Sequence, residues 1–178
     1  MGFFYFYTMN IKQYLDSTYL KTAEQAGVSE LENTAIAKKF IQEAIDEHFK
    51  LIMIRPDKVS LAKKMIHEAN SKVTIGTVID FPLGKSSCKS KMKEAQKAIE
   101  DGADDLDFVC NYEAFKKGKF DLVKEEILLC TKLGLDHHKI VKWIIEVAAL
   151  NHNEIIRLST FIKNCIITHF KEECYHSV

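Results

Sequence analysis

Glycine and proline are scarce, 7 and 2 in 178 residues. With no Ser-rich or low-complexity tract either, the chain has nowhere to place an interdomain linker and reads as one unit. Net charge is lacking as well: 25 basic side chains balance 25 acidic ones, which leaves no field to gather nucleic acid or an anionic membrane surface. No apolar run approaches the roughly 20 residues of a membrane span. The start, Met1-Gly-Phe-Phe-Tyr-Phe-Tyr-Thr8, has neither a positive leader nor a long enough apolar run for a secretory signal. Pairable cysteines are missing too. The five, at 88, 110, 130, 165 and 174, are odd in number and form no C-x-x-C, so they read as small buried hydrophobes in a reducing cytosol. No G-x-G-x-x-G or G-x-x-x-x-G-K-[ST] follows any strand-like run, which weighs against a nucleotide-binding open sheet.

What the chain does have is 47% hydrophobic residues, enough for one sizeable core, arranged in a repeating order. Leu51 to Ile54, Val73 to Ile79, Leu106 to Cys110 and Ile140 to Val147 read as strands, with a shorter one at Tyr14 to Thr18. Amphipathic helix patterns lie between them, near 33 to 48, 57 to 70, 88 to 101 and 120 to 133, with another from 151 to about 165. Gly102 and Gly134 stand where left-handed C-terminal residues are wanted, and Asn151 or Asn153 can cap the last helix. β-α units in series imply a parallel sheet with crossover helices, in a (β/α)8 TIM barrel or a doubly wound sheet. The barrel is favoured, and a full one typically takes about 250 residues, so about five β-α units are expected here. Residues 1 to 8 read as an extra N-terminal segment without fixed structure, and 9 to 178 as one partial barrel domain.

Two strands carry charges on the wrong face for a simple core. Alternation sends Leu106 and Phe108 one way and Asp107 and Val109 the other. If the apolar pair meets the helices, Asp107 points into the barrel. In the next strand Val141, Trp143 and Ile145 share one face and Lys142, Ile144 and Glu146 the other. Lys142 is therefore also sent inward, where the two charges can pair, since an unpaired one would be very costly there. A structural ion pair and a proton-transfer site are both compatible with this pattern. The remaining clusters are plainer. His137-His138 reads as a solvated turn with no metal-ligand spacing around it, the Lys and Glu residues of 116 to 126 as a solvated helix face, and no metal or cofactor is expected.

Five strings, Tyr14-Leu-Asp-Ser-Thr-Tyr-Leu-Lys21, Gly76-Thr-Val-Ile-Asp-Phe-Pro-Leu-Gly84, Lys91-Met-Lys-Glu-Ala95, Gly102-Ala-Asp-Asp-Leu-Asp-Phe-Val109 and Lys142-Trp-Ile-Ile-Glu146, together resemble the deoxyribose-phosphate aldolase family between about Ile11 and Leu150. The resemblance implies a (β/α)8 barrel and a class I aldolase, in which a lysine imine cleaves 2-deoxyribose 5-phosphate to glyceraldehyde 3-phosphate and acetaldehyde in deoxyribonucleotide catabolism. It places the family's proton-transfer aspartate on Asp107, a supporting lysine on Lys142, and site-lining residues on Asp16 and Thr18. It implies a cytoplasmic enzyme without cofactor, acting on a small phosphorylated sugar; a homodimer is one assembly compatible with the sequence, which does not itself fix the oligomeric state.

The chain departs from the family's pattern at Met53, where a cysteine is common, and at Asp80, where Asn or Gly is common. It also contains no V-K-[ST]-S-T-G string, the strand that carries the family's imine-forming lysine. The chain by itself is therefore expected to be inactive, and a non-catalytic remnant or interaction scaffold is the alternative reading.

Overall fold

The computed structural model describes residues 10–170. Five parallel strands form one sheet in the order of the chain: β1 (Asp16–Tyr19), β2 (Leu51–Ile54), β3 (Thr74–Ile79), β4 (Asp105–Val109) and β5 (Ile140–Ile144). Between them run α1 (Ala23–Ala26), α2 (Glu30–Asp46), α3 (Val59–Glu68), α4 (Cys88–Asp101), α5 (Tyr112–Lys116) and α6 (Phe120–Asp136), and α7 (His152–His169) follows β5.

Strand order without reversal removes the switch point of a doubly wound sheet. Curvature decides the rest. β1 and β5 are four strand spacings apart, about 19 Å if the sheet were flat, yet Lys142 Nζ on β5 lies 3.8 Å from Asp16 Oδ2 on β1. The sheet must curl, with a concave face that brings its first and last strands together. This is an arc of a barrel, and it accounts for five of the eight β-α units as expected.

The two faces of the arc pack differently. On the convex face Ile52, Ile54, Ile75, Ile79, Leu106 and Phe108 join Ala37, Ile41, Ala62, Ala95 and Ala98 from α2, α3 and α4 in one buried cluster. Each such isoleucine contributes about 1.5–3 kcal/mol by leaving water. On the concave face Leu51, Met53 and Val78 form a smaller cluster with Leu20, Phe81 and Ile144. The alternation read from sequence thus holds, with Phe108 stacked on Trp143 outside the arc.

Helix ends follow local chemistry. Ser29 with Glu32 and Asn151 with Glu154 form capping boxes on α2 and α7, and Ser87 caps α4. Asn151, rather than Asn153, is the cap of the last helix. Gly102 ends α4 at φ 106°, a left-handed conformation that glycine adopts freely. Gly134 differs from its expected role: α6 runs through it to Asp136, and its Cβ-free side faces β5, where an added Cβ would overlap Val141 Cγ2. Close helix–strand approach explains that glycine. β5 is also shorter than expected, because Glu146 takes a left-handed φ of 53° and residues 147 to 149 turn into a 3₁₀ helix. The short helices α1 and α5 carry too few residues for a periodic signal. The expectations for residues 1 to 8 and for Cys174 lie outside the described residues.

Candidate active site

Parallel register sets Val78, Asp107 and Lys142 side by side on β3, β4 and β5. Asp107 is the third residue of β4 and Lys142 the third of β5, so both side chains enter the concave face. Lys142 is the only lysine in any strand among the described residues.

The two meet as the alternation predicts. Lys142 Nζ lies 3.3 Å from Asp107 Oδ1 and 3.3 Å from Asp105 Oδ2, in addition to its 3.8 Å approach to Asp16. One ammonium thus faces three carboxylates. Asp105 enters because it stands two residues before Asp107 on the same strand face, a neighbour that was visible in the Asp104-Asp105-Leu-Asp107 run. Thr18 sits on the same face of β1 and is exposed, with its hydroxyl directed at Asp16 O (3.4 Å). The structure joins Asp16, Asp107 and Lys142 into one cluster and leaves Thr18 beside it.

Burial tunes these groups. The Asp107 side chain is 15% exposed and that of Lys142 39% exposed. Desolvation pushes the Asp107 carboxyl above its ordinary value, and the nearby Lys142 only partly offsets this; Asp105 is raised for the same reasons. For Lys142 the balance runs the other way. Burial opposes its charge, but Asp107 and Asp105 outweigh it and hold the ammonium above its usual range. Asp107 Oδ1 is buried with no hydrogen-bond partner among the described residues, so its contact with Lys142 is an ion pair out of line for a hydrogen bond. A carboxylate with a raised pKa, an open acceptor and a neighbouring fixed cation can take and return a proton.

No family model matches the chain. It is 36% identical over 156 residues to the deoxyribose-phosphate aldolase of Thermococcus gammatolerans, and 37% identical over 155 residues to deoxyribose-phosphate aldolase 1 of Staphylococcus aureus, in each case over 87% of its own length. Among solved structures it matches the aldolase QR15 with a TM-score of 0.76 at 29% identity, covering 88% of this chain and 65% of that one. This chain is a homologue of the deoxyribose-phosphate aldolases. It spans 65% of the length of the two curated relatives.

Departures from the aldolase pattern have clear physical settings. Asp80 follows β3 at φ 56°, the left-handed region that suits glycine and asparagine, and aspartate is among the few other residues to adopt it readily. Here its carboxylate accepts from Ser86 N–H (2.8 Å) and Ser86 Oγ–H (2.7 Å), closing the loop after β3. Met53 points into the concave face, and its Cε stands 2.5 Å from where a Cβ on Gly76 would lie. The thioether fills the space that glycine leaves.

One buried cluster was not foreseen. Lys91 on α4 is fully buried, with its Nζ 2.9 Å from Glu126 Oε2 on α6 and 3.5 Å from Asp80 Oδ2. It donates to Val109 O (2.6 Å) and Gly84 O (3.1 Å). Glu126 is 1% exposed and accepts from Asn111 N–H (3.0 Å), which corrects its reading as part of a solvated face. The signal was present in the spacing. Lys91, Ala95 and Ala98 form one stripe of α4, and Val123, Glu126, Ile127 and Cys130 one stripe of α6. The cysteines at 110, 130 and 165 are buried, and that at 88 is half-buried. Burial pushes Cys110 up to about 12, so it is an inert apolar group at neutral pH. Among the described residues no helix is long and apolar enough to cross a membrane.

Proposed function

We propose that this chain carries the carboxylate side of a class I aldolase site that reversibly cleaves 2-deoxy-D-ribose 5-phosphate to D-glyceraldehyde 3-phosphate and acetaldehyde. The observation that carries the reading is the buried Asp107 Oδ1, an unfilled acceptor beside a lysine on the concave face of a barrel arc. In this reaction an amine and the substrate aldehyde condense to an imine with loss of water. The hydroxyl β to the imine carbon then gives up its proton as the carbon–carbon bond breaks, and the electron pair moves into an enamine. Asp107 takes that proton and returns one to the enamine carbon, and water then hydrolyses the resulting imine to acetaldehyde and the free amine. Lys142 supports it as a fixed cation, while Asp16 and Thr18 line the pocket.

Lys142 is not the imine former in this scheme. A nucleophilic lysine needs a lowered pKa, and the lumen carboxylates raise that of Lys142. The imine is therefore assigned to the lysine of the V-K-[ST]-S-T-G string that the family resemblance implies, which these 178 residues do not contain. A cytoplasmic homodimer in deoxyribonucleotide catabolism is the setting that fits the free thiols and the exposed apolar side chains of Leu31, Ile156 and Ile167.

The test fuses the chain to the segment of the Thermococcus relative that it does not match, and assays release of acetaldehyde from 2-deoxyribose 5-phosphate. Turnover that collapses in Asp107→Asn supports the assignment. A folded fusion whose Asp107→Asn variant keeps normal turnover overturns it. A soluble fusion with no turnover at all would support the alternative, a non-catalytic scaffold.

A further inference from the structure

The Lys91 cluster joins segments that belong to two different loops of the barrel rim. Gly84 O and Asp80 come from the loop after β3, Val109 O from the last residue of β4, and Glu126 holds Asn111 N–H just beyond it. Glu94, on α4 with Lys91, accepts from Asp80 N–H (3.0 Å). The loop is drawn tightly onto β4: a Cβ on Gly84 would lie 2.6 Å from Cys110 O and 2.8 Å from Val109 Cγ1. Phe81 belongs to the same loop, and it packs against the concave-face cluster of Leu51, Met53 and Val78 with Leu20 and Ile144. Val78 is the register neighbour of Asp107, and Ile144 stands two residues beyond Lys142 on the same face of β5. The ring therefore sits on the rim side of the row that holds Asp107 and Lys142.

We propose that Lys91 is a positioning residue of the lumen site: by clamping the loop of residues 80–87 onto the end of β4 it seats Phe81 over the concave face and keeps water off Asp107. Fixing such a loop with a fully buried ammonium is stringent. Lys91 has two backbone carbonyls and two carboxylates around it, and desolvation leaves no other way to satisfy the charge. The charged groups that face Asp107 are Asp105 on its own strand, Lys142 on β5 and Asp16 on β1. Lys91 and Glu126 stand on α4 and α6, off the concave face, so the proposed effect passes through the loop and Phe81.

The inference concerns the environment of Asp107 and needs no turnover, so it is tested independently of the aldolase reading. Two variants of the 178-residue chain are compared with the parent: Glu126→Gln, which keeps the acceptor for Asn111 N–H and weakens the clamp, and Phe81→Ala, which leaves the clamp intact and removes the ring. Carbon-13 NMR follows the Asp107 carboxyl through a pH titration, and amide hydrogen exchange follows residues 80–87. In Glu126→Gln the loop amides are expected to exchange about tenfold faster, the equivalent of losing one charge-assisted hydrogen bond, and the Asp107 titration to move down toward the ordinary carboxylate range. In Phe81→Ala only the titration moves. If Glu126→Gln does not fold, Asp80→Asn, which weakens the other carboxylate contact of Lys91, takes its place with the same expected outcome. An Asp107 titration unchanged in Phe81→Ala, or unchanged in a Glu126→Gln chain whose loop amides have become fast, overturns the proposal.

Discussion

Lys91 and Lys142 solve the problem of a lysine inside a protein in opposite ways. Lys91 lies under α4 and α6, with no exposed surface and a full set of partners. Lys142 lies on the concave face of the arc, 39% exposed, with three carboxylates around it and no hydrogen-bond geometry to Asp107. The first arrangement is saturated and holds backbone in place. The second carries surplus negative charge and an open acceptor, which is the arrangement the proposed site calls for.

The largest effect that would break this contrast is on stability. Lys91→Met should destabilise by about 3–5 kcal/mol, because it strands Glu126 in an apolar setting. At about 2–4 °C per kcal/mol for a chain of this size, a thermal melt reads this directly, and a loss under about 1 kcal/mol would show that the clamp is dispensable. Next comes chemistry. In the fused enzyme, Asp107→Asn should retain the fold and lose activity by about 10²–10⁴, the range for a proton-transfer group. Lys142→Met should be milder for stability, about 1 kcal/mol or less, since its ion pairs are half-open to water. A melt as damaged as that of Lys91→Met would erase the distinction between the two lysines.

Reading this from sequence worked where alternation and spacing carry the information. The inward placement of Asp107 and Lys142 followed from period two on adjacent strands, and the end of α4 was legible because Gly102 marks it. Other features are tertiary. Gly134 looked like a helix terminus, although its absent Cβ serves contact with Val141, a partner seven residues away. Glu126 looked solvated because its neighbours Lys124 and Glu125 are charged, and only the packing of α4 against α6 reveals its partner Lys91. Asp16 was assigned to the site by family resemblance. Its contact with Lys142 exists only because the sheet curls, which no local pattern encodes.

The smallest expected effect is on pH dependence. The folded pKa of Lys142 is raised, so its ion pairs contribute stability fully below its unfolded value, about 10.4, and lose it as pH rises through the folded value. Melting temperature should fall on that alkaline limb, and the fall should be shallower in Lys142→Met. The acidic side runs in the same direction for Asp105, Asp107, Glu94 and Glu126, all raised chiefly by burial. Their neutral forms favour the fold below the unfolded carboxylate values of about 4, and this contribution fades as pH rises through the folded values. Equal alkaline limbs in the parent and in Lys142→Met would mean that the lumen carboxylates do not hold the ammonium.

The central claim, that Lys142 is a protonated support and not a nucleophile, is tested by incubating the 178-residue chain with acetaldehyde and borohydride and measuring intact mass and peptide maps. The lumen carboxylates predict no stoichiometric adduct on Lys142. A single reduced imine mapped to Lys142 would contradict the account and make this lysine the reactive group.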